Sequence, residues 1–417
     1  MLKKIAVEEL RLGMHVHKLE AKWIDHSFWK TRFVLESADD MRRLQSCGVA
    51  ECWIDTAQGL DVAPAVATPA GAGGGSGADT AASPALPAAP SVLDPGDRPL
   101  SAELRQAADI CKRGREAVVA MFSEARMGRS VDAEGCLPLV DEITGSVHRN
   151  PGALVSLARL KSKDDYSYMH SVAVCALMVA LARQLGLDEA MCRQAGLAGL
   201  MHDIGKAVMP LDVLNKPGKL TDAEYTIIQS HPERGHRLLA DGQGAGPEVL
   251  DVVLHHHERV DGKGYPHQLQ GEQITLLARM GAICDVYDAI TSNRPYKVGW
   301  DPAESIAKMA AWKGQFDEAL FAAFVQSLGI YPTGSLVRLA SGRLAVVAEQ
   351  NPHNLVAPVI NVFFSTKSQM RITPQRLDLS AKGCNDRIVG RHADELHSFG
   401  KLEELWADPE LLRRLHR

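Results

Sequence analysis

The amino-acid sequence predicts a mainly α protein, in which a helical bundle lies between a small β-containing N-terminal module and a β-rich C-terminal appendage. Three observations support this fold class. Helical periodicity dominates residues 101–332, which also carry several helix-start signals. Residues 1–61 alternate short apolar stretches with polar breaks, and short β-like runs follow Pro332.

The composition is that of a globular protein with two or three domains. The 417 residues are 46% hydrophobic and 23% charged, so neither a disordered chain nor a collagen-like chain is expected. The formal net charge of −5 provides no general attraction to nucleic acid or to an anionic membrane. We therefore expect no nucleic-acid partner, and any anionic substrate must be bound by a local group of residues.

No segment of the sequence is typical of a membrane span or a signal peptide. The longest uninterrupted apolar run covers residues 172–182, whereas a helix needs about 20 apolar residues to cross a bilayer. The apolar stretch after Lys3 and Lys4 ends at Glu8, so it is too short for the apolar region of a signal peptide. The eight cysteines form no CxxC pair, which favours reduced thiols. We predict a cytoplasmic protein that does not associate with membranes.

The N-terminal part of the chain consists of a module and a linker. Residues 1–61 predict a small accessory module with β-structure and one helix near residues 37–46. Residues 62–100 are mostly Ala, Pro, Gly and Ser, so they cannot bury enough apolar area to offset the entropy of ordering. We predict a flexible linker over this range.

The helical domain is predicted over residues 101–332. Thr221 and Glu224 form a capping-box pattern, and Asp301 followed by Pro302 is typical of a helix N-terminus. Gly186 similarly ends one helix just before the next begins. These signals favour a bundle of helices connected by short loops.

The last predicted domain, residues 333–417, differs from the bundle in its pattern. Residues 335–339, 344–347 and 359–364 are short β-like runs. A final helix is predicted at about residues 393–415. We expect a β-rich appendage that is followed by this helix.

Candidate metal ligands are concentrated in the predicted bundle. On the predicted helix over residues 167–185, His170 shares a face with Val174 and Leu177, so its imidazole points inward. His202 and Asp203 end the apolar stretch over residues 195–201. Taken alone, an inward histidine is more often a hydrogen-bonded core residue than a metal ligand.

Further titratable residues occur at the ends of other predicted helices. His231, the triplet over residues 255–257 and Asp285 all fall beside apolar helical stretches. Burying such groups without partners costs several kcal/mol, whereas a divalent cation selects neutral imidazoles and ionised carboxylates. The set therefore favours a metal site over the alternative, a polar network without metal.

Four motifs follow His170 in order: HDIGK at residues 202–206, HPERG at 231–235, HHERVDGKGYP at 256–266 and CDVYDAITSNRPY at 284–296. Together they resemble the HD-GYP family, a branch of the HD-domain metal-dependent phosphohydrolases. The resemblance covers residues 163–328 and implies a helical HD-type fold that hydrolyses cyclic di-GMP. The first sixty residues and the C-terminal tail resemble regions that flank this domain in one subgroup of the family.

The resemblance implies a dinuclear metal site. One metal would be held by His170, His202, Asp203 and Asp285, and the other by Asp203, His231, His256 and His257, so that Asp203 bridges the two. A bridging hydroxide would attack the phosphodiester, and the mixed ligands suit iron, manganese, cobalt or nickel. Tyr166 stands where family members with three metals carry glutamate, so a third metal is not expected. We expect His255 not to be a ligand.

The resemblance also implies substrate contacts. Lys206 would bind phosphate or assist the leaving group, and Arg294 and Lys297 would hold phosphate oxygens. Gly264 and Tyr265 would shape the site, with the tyrosine ring stacking on guanine. From the residues alone there are alternatives. Lys206 could be a solvated lysine at a helix end, and Arg294 and Lys297 could form local ion pairs. The loop with Gly264 and Tyr265 could be a plain turn. In the family, the loop that corresponds to residues 261–266 is also connected with binding of diguanylate cyclase domains.

The sequence thus predicts a phosphodiesterase that hydrolyses the 3′,5′-phosphodiester bond of cyclic di-GMP. The products would be pGpG and, after a second cleavage, GMP, and the level of the second messenger would fall. Two alternatives remain at this point: a nucleotide-binding signalling adaptor with little turnover, and a phosphodiesterase for another cyclic dinucleotide. The sequence also leaves open whether the chain forms a homodimer.

Overall fold

The computed structural model describes residues 2–19, 33–35, 41, 51–60, 100–160, 166–216, 218–293, 299–392 and 399–415. These residues fall into two compact units, which lie within residues 1–96 and 97–417. The predicted fold class is confirmed, since a mostly helical domain carries a β-sheet at its C-terminal end and a small sheet forms in the N-terminal unit. The predicted linker lies outside the described residues, apart from Leu100.

The N-terminal unit contains an antiparallel sheet of four strands in the order β1-β4-β2-β3. The strands are β1 (Leu2–Ala6), β2 (His15–Leu19), β3 (Phe33–Val34) and β4 (Glu51–Asp55). Alternate residues point into one core, formed by Ile5, Val7, Leu10, Met14, Val16, Leu35, Cys52 and Ile54. The helix predicted near residues 37–46 lies outside the described residues, except for Met41.

The second unit begins with the helical bundle. Its helices are α1 (Leu100–Arg126), α2 (Leu137–Arg149), α3 (Pro151–Ala158), α4 (Tyr166–Gln184), α5 (Glu189–Met201), α6 (Leu211–Leu214), α7 (Asp222–Gln229), α8 (His231–Ala240), α9 (Pro247–His255), α10 (Leu276–Thr291), α11 (Pro302–Ala311) and α12 (Glu318–Leu328). A 3-10 helix, Ile204–Val208, follows α5. Within the described ranges, no helix combines the length and the apolar character that crossing a membrane requires.

The predicted helix caps are present. The Thr221 hydroxyl accepts a hydrogen bond from the Glu224 amide, and the Glu224 carboxylate accepts from the Thr221 amide at 2.7 Å. Asp301 Oδ1 accepts from the first amides of α11, at 2.9 and 3.1 Å. These caps fix where α7 and α11 begin.

Helices α4 and α5 approach each other very closely because of a glycine. A Cβ atom at Gly199 would lie 2.9 Å from both Cα of Cys175 and the carbonyl oxygen of Val174. The two backbones can be in contact only because this residue lacks a side chain. The contact places His170 of α4 beside His202, which follows α5.

A second close contact connects the HDIGK turn to the start of α8. A Cβ atom at Gly205 would lie 1.9 Å from the carbonyl oxygen of His231 and 2.6 Å from the amide nitrogen of Gly235. Two backbone segments therefore touch without an intervening side chain. This contact holds His231 next to Asp203.

We expect Gly205→Ala to destabilise the fold by about 3 kcal/mol, because the added methyl group would overlap backbone atoms that cannot move independently. Thermal and denaturant unfolding measure this loss. Gly390→Ala is the matched control, because a Cβ atom at Gly390 meets no atom within 4 Å. Equal stability of the two variants would show that the Gly205 contact is easily relaxed.

The C-terminal sheet has five antiparallel strands in the order β8-β7-β6-β5-β9. They are β5 (Leu336–Leu339), β6 (Arg343–Glu349), β7 (Val359–Ser365), β8 (Met370–Asp378) and β9 (Ile388–Arg391). Asp301 Oδ2 accepts a hydrogen bond from the Leu336 amide at 2.8 Å and so connects α11 with the sheet. The three predicted strands are confirmed; β8 and β9 were not predicted, because these edge strands are largely exposed and lack an apolar run.

The predicted final helix over residues 393–415 is wrong as a single element. The chain forms a 3-10 turn, Leu402–Leu405, and a separate short helix, α13 (Pro409–Leu415). Pro409 disfavours helical backbone at the residue before it, and Gly400 has a left-handed φ of 71°. Residues 393–398 lie outside the described part of the chain.

Candidate metal centre

Five segments of the bundle bring the seven predicted ligands together. His170 lies on α4, His202 and Asp203 follow α5, His231 opens α8, His256 and His257 follow α9, and Asp285 lies on α10. The donor atoms form two groups, each with all atoms within 4.8 Å of one another: Asp203, His231, His256 and His257 in one, and His170, His202 and Asp285 in the other. These groups correspond to the two ligand sets that the resemblance implies, except that Asp203, the expected bridge, falls only in the group of His231.

The Asp203 carboxylate lies between the two groups. Its Oδ1 is 3.2 Å from Nε2 of His231, and its Oδ2 is 3.4 Å from Nε2 of His202 and 3.6 Å from Nε2 of His170. Asp203 is only 3% exposed. One oxygen thus faces each group, which is the arrangement that a bridging ligand requires.

Three of the imidazoles are oriented by main-chain carbonyl groups. Nδ1 of His202 donates to the carbonyl of Gly199 at 2.8 Å, and Nδ1 of His231 donates to the carbonyl of Ile228 at 2.7 Å. Nδ1 of His256 donates to the carbonyl of Val253 at 3.0 Å. Because a carbonyl oxygen can only accept, Nδ1 carries a proton, and in a neutral ring Nε2 then keeps its lone pair. This pattern is typical of metal-binding histidines.

Both carboxylates of the centre are ionised. Burial by itself would raise the pKa of Asp203, but Lys206 and His202 hold this pKa well below its usual value. Burial likewise raises the pKa of Asp285, but the hydrogen bond with His170 and the charges of the neighbouring histidines together hold this pKa well below its usual value. The two acids therefore provide negative charge inside the bundle.

Burial keeps three imidazoles neutral. It lowers the pKa of His231, it lowers the pKa of His256 well below the usual value together with the neighbouring histidines, and it lowers the pKa of His257 to about 3. These rings are therefore unprotonated near neutral pH. A neutral imidazole is the form that binds a metal.

A cation fits the space among these atoms. The Nε2 atoms of His231 and His256 are 3.3 Å apart, and they lie 3.2 and 3.8 Å from Oδ1 of Asp203. Neither nitrogen carries a proton, and the buried Oδ1 accepts no hydrogen bond from the residues that the structure describes. Three lone-pair atoms turned toward one another repel. A divalent cation at their centre converts this repulsion into coordination.

His170 is oriented differently from the other three histidines. Its Nδ1 donates to Oδ2 of Asp288 at 2.6 Å, and its Nε2 lies 2.9 Å from Oδ1 of Asp285. Burial lowers the pKa of His170, but the hydrogen bonds with the two carboxylates outweigh it and the pKa is raised. A metal at Nε2 would replace the proton shared with Asp285. Residue spacing does not predict this role of Asp288, because it depends on a contact between α4 and α10.

We expect Asp288→Asn to weaken metal binding by about 10- to 100-fold, because the variant loses the charged acceptor that orients His170. Isothermal titration calorimetry of the metal-free protein with manganese or cobalt measures this change in affinity. Asp251→Asn is the matched control, since Asp251 binds Nδ1 of His255 at 2.8 Å in a carboxylate–imidazole pair outside the centre. An affinity loss of equal size in the control would refute a specific role for Asp288.

The predicted lysine reaches the centre. Nζ of Lys206 lies 2.5 Å from Oδ2 of Asp203, and the lysine side chain is 23% exposed. The 3-10 turn after α5 brings these two residues of the HDIGK motif to the same side. The ammonium therefore stands at the boundary between the buried ligands and the solvent.

A cleft of about 470 Å³ adjoins the centre. Tyr225 on α7, Tyr265 and His257 are among the residues that line it. The rings of His257 and Tyr265 stack with centroids 4.7 Å apart. Clefts of this size bind ligands as large as a nucleotide.

Gly264 also lines the cleft, and a side chain at this position would meet the backbone of its own loop. A Cβ atom there would lie 2.5 Å from the amide nitrogen of Arg259 and 2.6 Å from the carbonyl oxygen of His257. The glycine therefore lets the loop fold against its own backbone. This packing places the Tyr265 ring against His257.

The structure does not describe all of the predicted site residues. Arg294 and Lys297 lie outside the described residues, and so does the side chain of Tyr166. His255 belongs to neither ligand group; its Nδ1 hydrogen-bonds Asp251 at 2.8 Å and its Nε2 lies 2.9 Å from Nδ1 of His267. The extra histidine of the triplet thus makes contacts of its own beside the centre.

Two family models match different parts of the chain. Residues 152–320 match the HD domain family, and residues 2–136 match a domain of unknown function. A cyclic di-GMP phosphodiesterase of Pseudomonas aeruginosa is 53% identical over 407 residues, which cover 97% of this chain and 96% of the relative.

Two further relatives match only part of the chain. The cyclic di-GMP phosphodiesterase response regulator RpfG of Xanthomonas campestris is 44% identical over 136 residues, which cover 32% of this chain and 36% of the relative. A 3′3′-cGAMP-specific phosphodiesterase of Vibrio cholerae is 38% identical over 168 residues, covering 40% and 39%. The two relatives differ in the cyclic dinucleotide that they are named for.

Proposed function

Since the chain belongs to the HD-GYP family of cyclic di-GMP phosphodiesterases, we propose that it hydrolyses a 3′,5′-phosphodiester bond of cyclic di-GMP at the metal centre described above. The observation that carries this proposal is the convergence of seven predicted side chains into two adjacent groups, with one Asp203 oxygen 3.2 Å from His231 and the other 3.4 Å from His202. The relative that is named for this activity matches along nearly its whole length.

We propose that the two groups hold two divalent cations. Mixed imidazole and carboxylate ligands suit iron, manganese, cobalt or nickel. When bound, such a pair lowers the pKa of a water molecule enough to make it a nucleophile and neutralises negative charge that develops on the phosphate. We do not expect a third ion, because Tyr166 opens α4 at the place where a third carboxylate ligand would be needed.

The cleft would hold the nucleotide against the metal centre. His256 and His257 contribute both to the cleft lining and to one ligand group, so a ligand in the cleft lies next to that group. Tyr265 offers an aromatic ring to a guanine base, and the stack with His257 fixes its orientation. Holding the phosphate in line with the attacking water accounts for much of the rate increase in such reactions.

Lys206 would act on the leaving oxygen. Its ammonium is held by the Asp203 carboxylate at 2.5 Å, next to both ligand groups. From Nζ it can stabilise negative charge on the departing ribose oxygen and donate a proton to it. No covalent nucleophile is required for this reaction.

Arg294 and Lys297 remain part of the proposal on the basis of the motif. The segment that carries them follows α10, the helix of Asp285, in the sequence. The Gly299 amide donates to Oδ1 of Asn293 at 3.0 Å, so the described residues on either side of this segment are in contact. A guanidinium and an ammonium can bind phosphate oxygens.

Product analysis tests the proposed function. Protein loaded without oxygen with iron, manganese, cobalt or nickel is incubated with cyclic di-GMP, and the products are separated by chromatography. We expect pGpG as the first product, with GMP appearing later if the linear product is cleaved again. Absence of turnover with all four metals would favour the signalling adaptor.

Competition between substrates tests the specificity. The Vibrio cholerae relative is named for 3′3′-cGAMP, so this dinucleotide is the appropriate competitor. We expect a higher kcat/KM for cyclic di-GMP. A preference for 3′3′-cGAMP would show that the chain acts on a different cyclic dinucleotide.

We also propose that the loop over residues 261–266 contacts diguanylate cyclase domains. Lys263 at this loop has a side chain that is 77% exposed, so it is accessible to a partner. A pull-down of a diguanylate cyclase domain with the wild-type chain and with Lys263→Glu would test this contact. Equal capture by both proteins would contradict it.

A further inference from the structure

Gln268 has a backbone conformation that is rare for a residue with a side chain. Its φ angle is +56°, in the left-handed region that favours glycine. Gln268 follows the GYP motif and lines the cleft beside the metal centre. Unfavourable backbone conformations that persist beside a ligand cleft are often connected with function.

A buried carboxylate holds this conformation in place. Glu258 is 2% exposed and directly follows the ligands His256 and His257. Its Oε1 accepts a hydrogen bond from the amide of His267 at 2.6 Å, and its Oε2 accepts from the amide of Leu269 at 3.1 Å. The two amides flank Gln268 on either side. The single carboxylate therefore fixes the peptide groups around the left-handed residue.

Further main-chain contacts close the same loop. Asp261 and Gln270 form an antiparallel bridge, and the Gly271 amide donates to the carbonyl of Val260 at 3.1 Å. The Asp261 amide donates to the carbonyl of Gly314 at 3.0 Å. Gln268 thus lies on a loop that is held along its length.

The Gln268 side chain is exposed and makes no hydrogen bond with any residue that the structure describes. Its carboxamide offers two N–H donors and a carbonyl acceptor. A purine base presents donors and acceptors side by side along its edges, and such an edge complements a carboxamide. Tyr225 and Tyr265 line the same cleft and can stack on the faces of the bases.

We propose that Gln268 contacts the substrate by hydrogen-bonding a purine base of the bound cyclic dinucleotide, and that Glu258 is the residue that positions it. This inference rests on the proposed function for the identity of the ligand. A glycine would relieve the backbone at this position, whereas glutamine keeps a carboxamide in the cleft. The carboxylate of Glu258 stabilises the backbone conformation that the carboxamide needs.

The experiment measures the Kd of a hydrolysis-resistant phosphorothioate analogue of cyclic di-GMP, together with KM and kcat for cyclic di-GMP. We expect Gln268→Gly to raise Kd and KM about tenfold, the effect of one lost hydrogen bond, with kcat changed less than about twofold. The midpoint of thermal unfolding should not fall, because glycine adopts the left-handed conformation readily. The metal content is measured for every variant and should stay constant.

Gln369→Gly provides a matched control. Gln369 has a φ angle of +54° and lies in the turn between β7 and β8, away from the cleft lining. The substitution relieves the same backbone conformation and removes the same side chain. We expect wild-type Kd, KM and kcat for this control.

Gln268→Glu separates a contact from a structural role. Glutamate has nearly the same shape and the same backbone preference, but it lacks the N–H donors and adds negative charge near an anionic ligand. If Gln268 contacts the dinucleotide, Kd should rise at least as much as in the glycine variant. An unchanged Kd would mean that the side chain only fills the turn.

A double-mutant cycle tests the role of Glu258. In Glu258→Gln, the side-chain NH2 group faces one of the two backbone amides, so one of the two hydrogen bonds around Gln268 is lost. We therefore expect Kd to rise several-fold. In the Gln268→Gly background the same substitution should cause no further rise, because Glu258 acts through Gln268. Fully additive effects would contradict the positioning role.

The outcomes separate the two proposals. If wild-type protein binds the analogue but does not hydrolyse cyclic di-GMP, the proposed function is wrong and the Gln268 contact is still tested by Kd. If wild-type protein does not bind the analogue, both proposals fail. If wild-type protein binds and both Gln268 variants keep its Kd within twofold, the Gln268 inference alone is overturned.

Discussion

Asp203→Ala is expected to remove both metals and to reduce hydrolysis at least about 10³-fold, which corresponds to about 4 kcal/mol of transition-state stabilisation. The carboxylate faces both ligand groups, with one oxygen 3.2 Å from His231 and the other 3.4 Å from His202. Its loss leaves each group with imidazoles as the main remaining donors. Metal analysis by mass spectrometry and a product assay measure the two effects.

The control for this variant is Asp141→Ala. Asp141 forms an exposed ion pair with Arg193, at 2.7 and 2.8 Å, on helices that do not line the cleft. Exposed pairs of this kind contribute little to stability, so metal content and turnover should be those of the wild type. Retention of both metals and normal turnover in Asp203→Ala would show that Asp203 does not bridge the two groups.

Lys206→Met is expected to lower kcat about 10²- to 10³-fold while both metals stay bound. Methionine preserves the length and the apolar stem of the side chain but removes the ammonium that would protonate or stabilise the leaving oxygen. Since Lys206 is a cation, its removal takes no ligand away from the metals. The loss should therefore appear in kcat and not in metal content.

The matched control is Lys112→Met, which removes an exposed lysine of α1. A substrate with a better leaving group provides a second test. If Lys206 assists the leaving oxygen, the Lys206→Met variant should be impaired less on a 4-nitrophenyl phosphodiester, whose leaving group needs no proton. A parallel fall of metal content and turnover would instead mean that Lys206 acts by keeping Asp203 in place.

Local patterns in the sequence predicted which residues could be ligands, but not how they meet. Periodicity placed His170 on the inner face of α4, and the capping residues predicted the starts of α7 and α11 correctly. The distances between His170, His202 and Asp285 depend on contacts between helices, such as the one that Gly199 permits. Such contacts have no signal in the spacing of residues along one helix. The grouping of ligands came from the family resemblance.

Features that depend on tertiary structure were missed. Glu258 lies inside the motif, yet its role as an acceptor for two amides depends on a loop that returns nine and eleven residues later. The left-handed backbone of Gln268 has no sequence signal, because glutamine is not a typical residue of such turns. Strand β8 was missed because its burial pattern is almost fully exposed, so hydrophobic alternation is absent.

The hydrogen bonds at Nδ1 of the ligand histidines bear on how this centre tolerates mutation. His202, His231 and His256 each donate to a carbonyl three residues earlier in the chain, and every amino acid provides that carbonyl. The side chains of Ile228 and Val253 can therefore change without removing the acceptor, whereas Gly199 is constrained by its contact with α4. His170 instead depends on the side chain of Asp288, so a single base change in one codon can misalign it. Natural variation is expected to preserve Asp288 more strictly than Ile228 and Val253.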